Sequence, residues 1–166
     1  MLKKRNFLLL IGLGIVVIIF LFIPRYFLEL RSINDNKLIF LEQIKPGDIF
    51  ILEYIHSVSL TSVQEFFKID EEYQIILIET DFLDHGAGLP YTNFGQEVFL
   101  KEEGKFKIKN MQRVIPVPLY YRVGESSHNC FYFRDNKIDL SSLLGDTLLT
   151  IKIVKQNNLN LLWGVE

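Results

Sequence analysis

The sequence predicts an all-β domain, a sandwich or a barrel, preceded by one transmembrane helix. Three observations predict it. An uncharged apolar run covers residues 7–23, behind Lys3, Lys4 and Arg5. Short β-rich runs then recur from residue 38, with turn signals between most of them. No amphipathic helical period of useful length follows the first segment.

The first run has 17 residues, the short end of what crosses a bilayer as a helix. A cleaved signal peptide has an apolar core of about 7–15 residues that ends at small residues. This run ends in "FLFIPRYFLEL", with no small-x-small site, so it reads as a retained anchor. The basic stub then stays in the cytoplasm and the rest lies outside, a single-pass protein of the cell membrane. Pro24 ends the helix, Arg25 snorkels, and Tyr26 and Phe27 suit the headgroup level. Gly12 and Gly14 lack the four-residue spacing of a dimerising helix. The boundaries expected are a stub and anchor over 1–28, a polar connector over 29–36, and the outer domain over 37–166.

Strands are expected at 38–44, 48–57, 63–69, 74–83, 97–101, 105–111, 119–123, 130–133 and 148–155. "KPGD", "DEEY", "EEGK" and "RDNK" supply turns. Residues 139–146 allow one short turn of helix. Phe50, Leu52, Tyr54, Phe67, Ile69, Ile76, Ile78 and Phe82 are the expected core, by alternation of faces.

All 20 acidic residues but only 14 of the 18 basic ones lie from Glu29 onward, a net of −6. An acidic outer domain argues against nucleic acid as a partner. The single cysteine, Cys130, cannot form an intramolecular disulfide, and within "CFYF" it reads as a small buried apolar residue.

The stretch "YIHSVSLTSVQEFF" (54–67) sets His56, Ser57 and Glu65 in an apolar, strand-like run. By strand parity His56 and Glu65 share a face with Tyr54, Val63 and Phe67. A hairpin with a four-residue loop over 59–62 would pair His56 with Glu65, Tyr54 with Phe67, Leu52 with Ile69, and Glu53 with Lys68. Three roles are open for the pair: a buried polar pin that fixes register, a ligand site, or catalysis. Ser57 lies on the opposite strand face from His56, which argues against a hydrolase built on His56, Ser57 and Glu65, and no catalytic residue is assigned. A second stretch, "TDFLDHGAGLPYTNFG" (80–95), is a shaped glycine loop without the lysine of a phosphate-binding motif. His56, Glu65, Asp84, His85 and His128 have no tight metal-ligand spacing, and neither a metal nor a cofactor is expected.

Together these stretches resemble the DUF1850 family. The family pattern runs Tyr-x-His-Ser-Val-Glu-x-Thr-Pro-Val-x-Glu, then Gly-Ala-Gly-Leu-Pro. Tyr54, His56, Ser57, Val58, Thr61, Val63, Glu65, Gly86, Ala87, Gly88, Leu89 and Pro90 match it. Ser59 stands where the family has glutamate, Ser62 where it has proline, and His85 where a small or aromatic residue is more frequent. The resemblance implies an accessory of a TAXI-class TRAP solute transporter, acting by ligand or partner binding. The expected partners are the membrane and the transporter's membrane subunit or its solute-binding protein. Candidate binding residues are Tyr54, His56, Ser57, Thr61, Glu65, Gly86, Gly88, Leu89 and Pro90. A membrane-anchored hydrolase and a purely structural envelope protein are the alternatives.

Overall fold

A computed structural model describes residues 4–83, 95–102 and 104–158. In chain order these form α1 (Lys4–Phe22), β1 (Pro24–Ser32), β2 (Leu38–Ile44), β3 (Ile49–Ile55), β4 (Ser62–Ile69), β5 (Ile75–Phe82) and β6 (Val98–Glu102). Then follow β7 (Lys105–Lys109), β8 (Arg113–Ile115), β9 (Leu119–Val123), β10 (Cys130–Phe133), β11 (Asn136–Asp139), α2 (Leu140–Leu144) and β12 (Thr147–Asn157).

The strands make two antiparallel sheets. One has the order β2-β1-β12-β9; the other has β11-β10-β3-β4-β5-β7-β6, with β8 also on β5. The sheets share one core. Leu28, Leu30, Phe40, Leu149 and Ile151 from the first meet Phe50, Leu52, Phe67, Phe131 and Phe133 from the second. Phe40 crosses the gap, edge-on to Phe131 at 4.9 Å and to Phe133 at 5.7 Å between ring centres. The all-β expectation is met, as two packed sheets around a single core.

The expected connector over 29–36 is corrected. Pro24–Ser32 is a strand, paired with β12 on one side and β2 on the other. Leu28 and Leu30 are fully buried, while Glu29, on the other face and also buried, lies between Arg31 at 3.1 Å and Lys152 at 3.2 Å. The strand begins where the helix ends, so the sandwich starts at Pro24 rather than at Lys37.

Of the expected core, Phe50, Leu52, Phe67, Ile69 and Phe82 lie in the shared core, and Tyr54 packs against it half-buried. Ile76 is buried but outside that cluster, and Ile78 is only half-buried. The β4–β5 register shifts between Phe66 and Phe67, where Glu79 gives way to Leu77 and Ile78 bulges out. A bulge flips the alternation beyond it, so Ile75 and Leu77 point inward instead.

α1 carries an uncovered apolar surface. Leu9, Leu13, Val16 and Phe22 are each about 60% exposed, and the helix packs on neither sheet to any extent. Its 19 residues rise roughly 28 Å, a little under a hydrocarbon core of about 30 Å. Among the described residues no helix is long and apolar enough to cross a membrane. The helix leaves from one end of the sandwich. The Asn158 side-chain amide donates to the Phe20 carbonyl at 2.7 Å, and at the same end Tyr26 stacks on Tyr73 of the β4–β5 turn at 3.6 Å. The β3–β4 loop is therefore at the opposite end.

Candidate functional site

The β3–β4 hairpin keeps its expected faces and changes its expected register. Glu65 lies opposite Leu52, Tyr54 opposite Val63, Phe50 opposite Phe67, and Glu53 opposite Gln64. His56 closes the hairpin instead: its N–H donates to the Thr61 carbonyl at 2.9 Å. Glu65 pairs four residues back along β3 from His56, roughly 13 Å at strand rise. The expected His56–Glu65 pair does not form, nor do the expected Tyr54–Phe67, Leu52–Ile69 and Glu53–Lys68 pairs. His56, Ser57 and Glu65 form no hydrogen-bonded set among the described residues.

What His56 does is shape the loop. Its Nδ1 accepts from the backbone N–H groups of Val58 and Ser59, both at 3.3 Å. This is the work an Asn or Asp side chain does at the start of a turn. An accepting Nδ1 carries no proton, which assigns the ring hydrogen to Nε2. The Leu60 N–H returns to the His56 carbonyl at 2.8 Å, Leu60 takes a left-handed φ of 54°, and the Ser59 and Thr61 hydroxyls pair at 2.9 Å. Ser57 is exposed. His56→Ala is expected to cost about 1 kcal/mol and to free the Val58 and Ser59 amides to exchange. His56→Asn, whose Oδ1 sits at the same reach, should keep both. Hydrogen exchange at those two amides is the check.

Glu65 sits on the inner face between Leu52 and Thr80. Burial raises its carboxyl above the usual range. Among the described residues it has no hydrogen-bond or ion-pair partner. Burial, and then the Glu65 charge, push the Tyr54 phenol up to about 12. Tyr121 of β9, on the other sheet, is raised by burial first, with Glu65 and Tyr54 contributing. Tyr54 and Tyr121, one from each sheet, both pack partly buried against the shared core.

Tyr121 is set by a buried hub that the sequence reading missed. Asn129 donates through its side chain to the Tyr121 hydroxyl at 2.7 Å and accepts from the Gly124 N–H at 2.9 Å. Its own N–H donates to the Ser141 hydroxyl at 2.7 Å, which donates to the Gly124 carbonyl at 2.7 Å. A Cβ at Gly124 would sit 2.7 Å from the Ser127 hydroxyl oxygen, so a side chain there would have to displace that hydroxyl.

The outer face of the second sheet holds a separate polar row. Burial alone would raise the Glu53 carboxyl. Hydrogen bonds from Tyr132 at 2.6 Å and Ser62 at 2.8 Å, with Gln64, outweigh it and hold the group low. Asp81 Oδ2 meets Lys107 at 3.2 Å, while its buried Oδ1 has no hydrogen-bond partner among the described residues. Burial, then Asp81, raise the neighbouring Glu79. Among the described residues no group of three or more His, Cys, Asp or Glu could hold a metal ion. Gly86, Gly88, Leu89 and Pro90, with Asp84 and His85, lie outside the described residues.

An N-terminal apolar helix joined directly to a two-sheet sandwich, with a pinned hairpin loop and an inner carboxyl that has no partner among the described residues, defines the class of protein. The chain matches the family described as Domain of unknown function (DUF1850) over residues 50–140, more than half of its length, and belongs to that family. The match runs from β3 to the first residue of α2 and so takes in His56, Glu65, Tyr121 and Asn129. No curated protein and no solved structure matches the chain.

Proposed function

We propose that this protein is a membrane-anchored accessory of a TRAP-type solute transporter, and that it holds a ligand or a partner around Tyr54, Glu65 and Tyr121. Glu65, with no partner among the described residues, carries the reading. A half-buried carboxyl without a partner weakens a fold, whereas a structural pin would be hydrogen-bonded. Groups that cost stability are kept where they act on something else.

The linkage has a definite sign. The folded state holds the Glu65 proton more tightly than the unfolded chain does. The cost of Glu65 is therefore absent below the unfolded carboxyl range and is reached as pH rises through the raised folded value. Glu65→Leu is expected to gain on the order of 1–3 kcal/mol above that range, with the gain shrinking in acid. Denaturant melts at pH 4 and pH 8 measure both. A pin would give a loss at either pH.

The anchor reading draws on α1. Its apolar surface is uncovered, and basic residues precede it. Its small shortfall in length is met by local bilayer thinning at modest cost. The domain then stands on the outer side, by the positive-inside bias. The test is TRAP-type solute uptake in cells lacking the chain. Native protein should restore uptake; Glu65→Leu should not, although it accumulates to the native level in the membrane. Restoration by Glu65→Leu, or uptake indifferent to the chain, overturns the reading.

A further inference from the structure

We propose that the β3–β4 loop is a docking tip whose Val58 and Leu60 insert into an apolar, uncharged pocket of a protein partner. This rests on the reading that the domain stands outside the membrane on α1, and it names the surface through which the partner is met.

Four observations carry it. Val58 and Leu60 are 66% and 75% exposed, the latter the most exposed large apolar residue among those described. They are not on a slack loop. The His56 ring, the His56–Thr61 and Leu60–His56 backbone bonds and the Ser59–Thr61 pair hold the loop from within. A pinned loop has already lost the freedom that binding would otherwise remove, so its apolar side chains bind at lower entropic cost.

The chemistry of the partner follows from the chemistry of the tip. Residues 54–64 contain no Asp, Glu, Lys or Arg, in a chain that is 23% charged. An uncharged tip selects an uncharged, apolar pocket. Burial of two such side chains at the centre of a contact is how interface hot spots form.

Location chooses between a protein and the bilayer. The α1 exit, the Tyr26–Tyr73 stack and the Gly47 turn, whose N–H meets the Ile69 carbonyl at 2.8 Å, share one end of the sandwich. The tip is at the far end of β3 and β4, roughly 25 Å away at strand rise. On the reading that the domain stands on α1, a tip at the far end of the sandwich is turned away from the bilayer and towards a protein partner.

The experiment uses the full chain in native membranes, with a photo-crosslinking amino acid at Val58, at Leu60, or at exposed Glu72 on the anchor-side turn. The expected result is one protein adduct shared by positions 58 and 60 and lacking at 72. It should be unchanged in 0.5 M salt and fall about tenfold or more when Leu60→Asp accompanies the crosslinker at 58. Leu60 is exposed, so the variant should melt as the native chain does; Leu60→Ser serves if it does not. Adducts of two copies of this chain, lipid adducts only, a salt-sensitive adduct, or no adduct overturn the proposal. A salt-insensitive, Leu60-dependent adduct with a protein that is no transporter component keeps the docking tip and overturns the transporter reading. Failed adducts with Glu65-dependent uptake intact do the reverse.

Discussion

Replacing Phe131 with alanine is expected to cost about 3–5 kcal/mol. Phe131 has no exposed surface, and its ring meets Phe40 of the facing sheet at 4.9 Å and Phe50 at 5.9 Å. Truncation removes apolar burial and leaves a void between two sheets whose backbones cannot close on it. Single domains have only about 5–15 kcal/mol to lose, so the variant should be markedly less stable in urea. Phe131→Leu keeps most of the volume and should lose no more than about 1.5 kcal/mol. A loss under about 1 kcal/mol for the alanine variant would mean that the sheets do not meet at Phe131.

A chain begun at Pro24 is expected to fold, and one begun at Lys37 is not. β1 is an inner strand with partners on both sides. Without it, β2 and β12 lose their common neighbour, and the core loses Leu28 and Leu30, both fully buried. Each buried leucine is worth about 2–5 kcal/mol, before the lost ladder is counted. A cooperative melt for the chain from Pro24, and none for the chain from Lys37, is the predicted outcome. Two equal melts would remove β1 from the fold.

The β class was legible because most strands alternate apolar and polar residues between strong turn signals. The register of β3 on β4 was not. Sliding the pairing by an even number of residues keeps every face, and Phe50 on Phe67 satisfies packing as well as Tyr54 on Phe67 would. The choice falls to the loop, where His56 caps a turn that propensity alone does not favour. β1 was hidden by its neighbour. "PRYFLELRS" does alternate Leu28 and Leu30 against Glu29 and Arg31, but an apolar helix runs straight into it and drew Tyr26 and Phe27 into the anchor. The bulge at Ile78 has no glycine to mark it and inverted the inward set of early β5.

Of the candidate site, Glu65 and Tyr54 were found by face, and their faces held. Tyr121 and Asn129 were not found, because they come from the other sheet and a distant turn, and no local pattern ties them to Glu65. Ser141 lies in the short helical turn expected within 139–146, and only the fold brings its hydroxyl to Asn129.

The proposed arrangement has α1 holding the sandwich outside the membrane with its loop end outward. The direct measurement is labelling of Leu60→Cys, in a Cys130→Ser background, by a membrane-impermeant maleimide on intact spheroplasts. The account predicts full labelling without permeabilisation, on a chain that stays in the membrane pellet through an alkaline wash. Labelling only after lysis, or a chain released to the supernatant, would contradict it.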